Sequence, residues 1–279
     1  MTFPNDSLPV GLGFRMPLAN ELLGASPSVA DFIEIAPENF IGVGGKRARL
    51  LRAAAERWPV YCHGLSGDLA GSSPLDENEV GELKRFLHAL RAPFYSDHLC
   101  ITRAGGCTLH DLLPLPFCEA AMERAAQRIC AFRERLELEV AVENVSAYGL
   151  MSGTEMDELS FLKGVLERAD CKWLLDVNNV YVNSVNFGFD PYAYIDAAPL
   201  DRVVQIHVAG HDQESPGLLL DTHGSAVCDE VFQLLRYTLS KMQTHVPVLL
   251  ERDHQIPPFK ELENELHLVR RCAGDHHGN

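Results

Sequence analysis

The chain has 279 residues, 46% of them hydrophobic and 23% charged, a balance that suits a folded globular protein and excludes a disordered one. Its 39 acidic residues against 24 Lys and Arg give a formal charge of −15, which repels phosphate backbones and argues against nucleic acid as a partner. No membrane span is legible, and residues 1–9 lack a basic region followed by an apolar one, so a cytoplasmic address is the expectation.

Apolar runs of strand length begin at Val10, Asp31, Pro59, Phe94, Leu138, Lys172, Val203 and Val246. Between most of them lie stretches such as ENEVGELKRFLHAL and EMDELSFLKGVLERA, with apolar residues at i, i+3 and i+4. This alternation predicts an α/β fold, a single-domain (β/α)8 TIM barrel over residues 10–270, with an N-terminal extension over 1–9 and a frayed tail over 271–279. An open dinucleotide-binding sheet fits less well, because the GLGF of the first run has the wrong glycine spacing. Two connections, roughly residues 103–116 and 209–224, are long enough to suggest functional loops. The 8 cysteines include no C-x-x-C pair and read as reduced thiols rather than disulfides or a zinc knot.

In a barrel, alternate strand residues point inward and chemistry gathers at the carboxyl ends of the strands. Counting back from each end puts His63 on the face of Tyr61, His98 on that of Ser96 and Glu143 on that of Ala141. Asp176 then shares a face with Leu174, His207 with Gln205 and Glu251 with Leu249. Asn178 and Asn179 are expected in the loop beyond Asp176. A single histidine at a strand end is ordinarily a hydrogen-bonded structural residue, and a buried carboxylate ordinarily pairs with a base. Arg252 beside Glu251 and Lys172 near Asp176 are the available bases. Six ligand-type residues at one rim nevertheless predict a metal site, to which the loop segment LDTHG adds Asp221 and His223. His211, His110 and Asp111 are weaker loop candidates, and His88, His245, His267, His276 and His277 fall on helices or in the tail. The surplus of donors over the four to six that one ion takes implies more than one cation. Glu143 is suited to bridge two of them at about 3.5–4 Å. Nitrogen and oxygen donors without thiolate suit iron, manganese or zinc.

The segments CHG, SDHL, LHDLLPLP, ENVSAY, LLDVNNVYVN, NFGFDP, QIHVAGH, LDTHG and LLERD occur in this order. With them the chain resembles the multinuclear non-haem iron-dependent oxidative enzymes, which include the methanobactin-forming oxidase subunit. The resemblance spans approximately Val10 to Val269. It implies a TIM barrel holding two or three irons in mixed Fe2+/Fe3+ states, with dioxygen as co-substrate. The implied reaction is oxidative modification of cysteine in a ribosomally made precursor peptide. The implied ligands are His63, His98, Glu143, Asp176, Asn179, His207, Asp221, His223 and Glu251, with the reaction centred on Glu143, Asp176 and His207. Asn179 stands where some relatives have histidine. Asp253 is a further candidate, and Asn144 and Asn178 are implied to orient ligands by hydrogen bonds. Phe187 in NFGFDP departs from the Asn-His-Gly of many relatives. A separate leader-recognition protein is the implied partner, and the acidic balance favours a basic leader or partner face.

Two other readings fit the residues. A divalent-metal isomerase or hydrolase barrel of the xylose isomerase or endonuclease IV type also gathers His, Asp and Glu at strand ends. A non-catalytic metal- and peptide-binding partner would need the same ligands without turnover.

Overall fold

Each apolar run becomes one strand of a closed parallel barrel: β1 (Val10–Gly13), β2 (Phe32–Ile35), β3 (Val60–Gly64), β4 (Tyr95–His98), β5 (Val140–Glu143), β6 (Lys172–Asp176), β7 (Val203–Val208) and β8 (Val248–Leu250). Neighbours follow chain order, and β8 closes on β1 through Val10 opposite Val248. The expected (β/α)8 barrel is therefore the fold. The computed structural model describes residues 8–105 and 107–274, so residues 1–7 of the expected extension and 275–279 of the expected tail lie outside it.

Helices cover the outside for reasons the sequence carries. Glu77–Leu90 starts at Asp76, whose carboxylate accepts from the amides of Asn78 (2.8 Å) and Glu79 (3.2 Å). It buries Val80, Leu83 and Leu87 at helical spacing and stops at Arg91 in the left-handed conformation. Leu87 is fully buried, and Leu87→Ala would cost about 2–5 kcal/mol. Glu158–Ala169 repeats the design, with Asp157 as its cap and Phe161, Leu162, Val165 and Leu166 buried.

Inside the barrel the strand period of two sorts side chains into layers. Phe32, Tyr61, Phe94, Ala141, Leu174 and Leu249 form a separate apolar cluster. The ring centroids of Phe32 and Tyr61 stand 4.5 Å apart, and those of Tyr61 and Phe94 5.4 Å. Gly11 makes this floor possible, because a Cβ there would lie 2.4 Å from the Phe32 ring. Two residues further along the same strands come Glu34, His63, Ser96, Glu143, Asp176 and Glu251, so a dry floor lies directly beneath a titratable layer.

Both connections that the sequence suggests as long functional loops carry antiparallel hairpins: Ile101–Ala104 with Cys107–Leu113, and Asp212–Ser215 with Leu218–Leu220. Asn178 and Asn179 are not in a loop. They open the helix Val177–Phe187, because the Asp176 carboxylate caps it by accepting from the Asn179 amide at 2.8 Å. None of the eight cysteines forms a disulfide; Cys62, Cys100, Cys171 and Cys272 are buried, while Cys107 is exposed on a hairpin. Among the described residues, no helix is long and apolar enough to cross a membrane.

Candidate metal centre

The ends of β3, β4 and β5 bring three donors together. His63 Nε2 lies 3.2 Å from His98 Nε2 and 3.0 Å from Glu143 Oε2, which is 3.2 Å from His98 Nε2. The register explains the proximity, since His98 sits directly opposite Glu143 and His63 opposite Ser96. Donors bound at about 2.1 Å to one ion stand about 3 Å apart at adjacent corners of an octahedron. The triangle therefore has the dimensions of one face of a metal polyhedron.

Hydrogen bonds behind the triangle fix which atoms face it. His63 Nδ1 lies 3.0 Å from Ser96 Oγ, whose hydroxyl donates onward to the Cys62 carbonyl at 3.4 Å. That leaves His63 Nε2 with its lone pair toward Glu143. His98 Nδ1 lies 3.5 Å from the buried Asp97 carboxylate, which also accepts from the Gly67 amide and the Tyr95 hydroxyl. Buried Glu143 Oε2 has no hydrogen-bond partner despite its two close histidines. A proton or a cation must therefore stand among these atoms.

Adjacent donors extend the cluster. Asp176 sits opposite His207 in the barrel register. His207 Nδ1 lies 3.1 Å from Glu251 Oε2 and 3.5 Å from Glu143 Oε1. From the connection after β7, His223 brings Nδ1 to 3.5 Å from Glu251 and Nε2 to 2.8 Å from Asp221. His223 adopts a φ of 49°, a left-handed conformation costing roughly 1–2 kcal/mol, and its carbonyl accepts from the Asp253 amide. Four groups of three donors could each hold an ion: His63, His98 and Glu143; Glu143, Asp176 and His207; Asp176, His223 and Glu251; and Glu34, His207 and Glu251. They share members, so any ions held would be neighbours.

Charge makes the same point. Burial opposes protonation of His98, but Glu143 and Asp97 outweigh it and lift its pKa to about 9. Burial likewise opposes charge on His207 and His223, yet Glu34 and Glu251 around the first, and Asp221 and Glu251 around the second, hold both well above the ordinary imidazole value. Burial, then Glu143 and Asp221, push the Asp176 carboxyl far up, and its Oδ2 has no partner. Without cations the cluster is an overcrowded set of carboxylates that holds protons in their stead.

Every sequence-predicted ligand reaches this one region. Most line a cavity of about 740 Å³ at the carboxyl end of the barrel, with Asp176 and His207 fully buried beneath. Asn179 donates to the Asn144 carbonyl, which leaves its buried Oδ1 unpartnered and available to a cation. Asn144 braces the strand end: its carboxamide accepts from Trp173 Nε1 and the Asp176 amide and donates to the Asp176 carbonyl. Asn178 bridges Asp221 (2.8 Å) and His211 (2.7 Å). His211 does not join the cluster; it packs on Tyr181, and burial lowers its pKa. Asp111 is exposed at the cavity mouth, and the His110 side chain lies outside the described residues.

The two bases suggested by the sequence are not the partners. Arg252 turns away to Glu265 (2.8 Å), and Lys172 begins β6, at the opposite end from Asp176. Arg15 is the base at the site, 3.1 Å from Glu251 and 2.5 Å from Asp253, and among the described residues it is the one Lys or Arg paired with these carboxylates. It crosses beside Gly13, where a Cβ would lie 3.1 Å from the guanidinium. Glu34 is the other residue that the sequence reading missed, although it follows Phe32 by the same two-residue step that reaches most donors of the cluster.

The chain is 47% identical over 261 residues to a UPF0276 protein of Acinetobacter baylyi, covering 94% of this chain and 90% of that one. It is 47% identical over 263 residues to a UPF0276 protein of Pseudomonas aeruginosa, covering 93% and 90%. In fold it is similar to a xylose isomerase domain containing protein from Salmonella typhimurium, with a TM-score of 0.67 at 10% identity, covering 98% of this chain and 99% of that one. Endonuclease IV from Thermus thermophilus gives 0.60 at 14%, covering 96% and 99%. At such identities the likeness shows the barrel alone. Residues 9–274 match the family model described as RiPP precursor modification enzyme MbnB/TglH/ChrH, and the chain belongs to that family.

Proposed function

We propose that this protein holds two or three iron ions at the barrel mouth and uses dioxygen to modify cysteine oxidatively in a ribosomally made precursor peptide. The observation that carries this reading is the sharing of Glu143, Asp176, His207 and Glu251 among overlapping donor groups, which suits neighbouring ions better than a single one. The donors are imidazole and carboxylate without thiolate, a set that fits iron. When bound, iron supplies the one-electron and dioxygen chemistry that no side chain here provides.

The protein's own part follows from its geometry. His63, His98 and Glu143 would hold one ion; Glu143, Asp176, His207, Glu251, Asp221 and His223 would hold its neighbours, with Asn179 Oδ1 in reserve. The apolar floor of Phe32, Tyr61 and Leu174 excludes water from below. The cavity above is wide enough for a peptide segment, and Leu65 and Leu112 on its rim are exposed and apolar. A separate leader-binding protein would deliver the peptide, and the acidic mouth favours basic residues beside the cysteine.

Anaerobic purification, iron analysis and oxygen uptake with a cysteine-bearing peptide test the reading. Oxygen consumption coupled to a mass change at cysteine supports it. Turnover of a sugar or phosphodiester without oxygen would favour the isomerase or hydrolase alternative, and peptide binding with no mass change would favour a non-catalytic partner.

A further inference from the structure

His207 touches carboxylates on both of its nitrogens. Nδ1 faces Glu251 and Glu143. Nε2 faces Glu34, 3.2 Å from each of its two oxygens. A neutral imidazole carries one proton, so one face of His207 donates a hydrogen bond and the other offers a lone pair. Which face does which decides whether Glu34 is a ligand or holds a ligand in place.

The surroundings of Glu34 favour the second role. It is 1% exposed and lies deep in the barrel on β2, beside fully buried Gln205. Gln205 Nε2 donates to Glu34 Oε2 at 2.6 Å and stands 3.1 Å from His207 Nε2. The amide thus fixes the carboxylate against the imidazole edge. The second N–H of Gln205 could be accepted by a lone pair on Nε2, but that lone pair would also face both Glu34 oxygens at 3.2 Å, whereas an N–H there satisfies both. Nδ1 also faces carboxylate oxygens, those of Glu251 and Glu143, but these belong to the neighbouring donor groups, and a lone pair on Nδ1 is satisfied when a cation stands between them.

We propose that Glu34, braced by Gln205, is a positioning residue that takes the Nε2 proton of His207 and so presents Nδ1 to the metal, rather than serving as a ligand of a further ion. A carboxylate behind a metal-binding histidine fixes its tautomer and raises its basicity, and loss of such a partner costs about 10- to 100-fold in affinity. This inference rests on the proposed metal centre.

The test titrates wild type, Glu34→Gln and Gln205→Leu with Fe(II) alone under anaerobic conditions, followed by elemental analysis and Mössbauer spectra. Circular dichroism melts establish that each variant is folded, and Gln205→Leu serves if Glu34→Gln does not fold. The proposal expects the same ion count at saturation in all three. One ion should bind about 10- to 100-fold more weakly in Glu34→Gln, less so in Gln205→Leu, with an altered signal from that iron alone. In the zinc-loaded wild type, nitrogen-15 spectra should show the proton of His207 on Nε2. Unchanged affinity and spectra in folded variants overturn it, as does loss of one whole ion from Glu34→Gln, which would make Glu34 a ligand. Failure of the wild type itself to bind iron would remove the metal centre, a result separable from both.

Discussion

His63 and His98 bring their Nε2 atoms to 3.2 Å of each other over the same oxygen of Glu143. Nothing in barrel packing demands this meeting. The side chains arrive from three adjacent strands, each held from behind or by register, and the atoms that meet need a proton or a cation among them.

Glu143→Ala removes the oxygen common to that triangle and a donor of the neighbouring group. The variant should keep the barrel, with an unchanged circular dichroism spectrum, and lose at least one ion per chain together with turnover by about 100-fold or more. Full metal content in the purified variant would contradict the assignment.

The metal-free protein should weaken as pH rises. His98 has a folded pKa of about 9, above the ordinary imidazole value near 6.5, so its contribution is fully present below about pH 6.5 and is lost as pH rises through about 9. His207 and His223 shift in the same direction. Thermal melts of the metal-free form should fall by on the order of 5 °C across that window. Metal binding must displace these protons, so affinity should rise with pH and the calorimetric heat should vary with the buffer's ionisation enthalpy. A binding heat independent of buffer would contradict proton displacement.

Arg15 offsets part of the carboxylate charge at the site. Its side chain is 22% exposed, and Arg15→Met should destabilise the metal-free protein by about 1–3 kcal/mol through loss of its bonds to Glu251 and Asp253. Bound cations compensate the same carboxylates, so the loss should be smaller in the loaded protein. Urea unfolding with and without metal measures both, and equal losses would show that Arg15 and the metal act independently.

Asn144 should matter for structure before chemistry. Asn144→Ala strands Trp173 Nε1 together with the amide and carbonyl of Asp176, all at the buried end of β6, and should cost about 2–4 kcal/mol in urea unfolding of the metal-free protein. A loss below about 0.5 kcal/mol would mean that the strand end is held by something else.

The alternation of eight apolar runs with helical stretches pointed to the barrel, and the period-two step along the runs reached most of the cluster, because inward residues of a parallel barrel repeat every second position, independent of the connections. The same step from Phe32 reaches Glu34, whose isolated charge in FIEI was the available signal. Arg15 was beyond this logic: it lies past the end of β1 and reaches the site because Gly13 leaves room. Asn178 and Asn179 were misplaced because VNNVYV has no marked helical pattern. The helix is set by the cap at Asp176 and by packing, information that lies partly outside the segment. The hairpins after β4 and β7 were visible only as length.

Metal stoichiometry decides the central claim. Anaerobic reconstitution with Fe(II), removal of loose metal and elemental analysis should give two or three irons per chain, with fewer in Glu143→Ala. One iron or none in the wild type, or an identical content in the variant, would contradict a multinuclear centre built on Glu143.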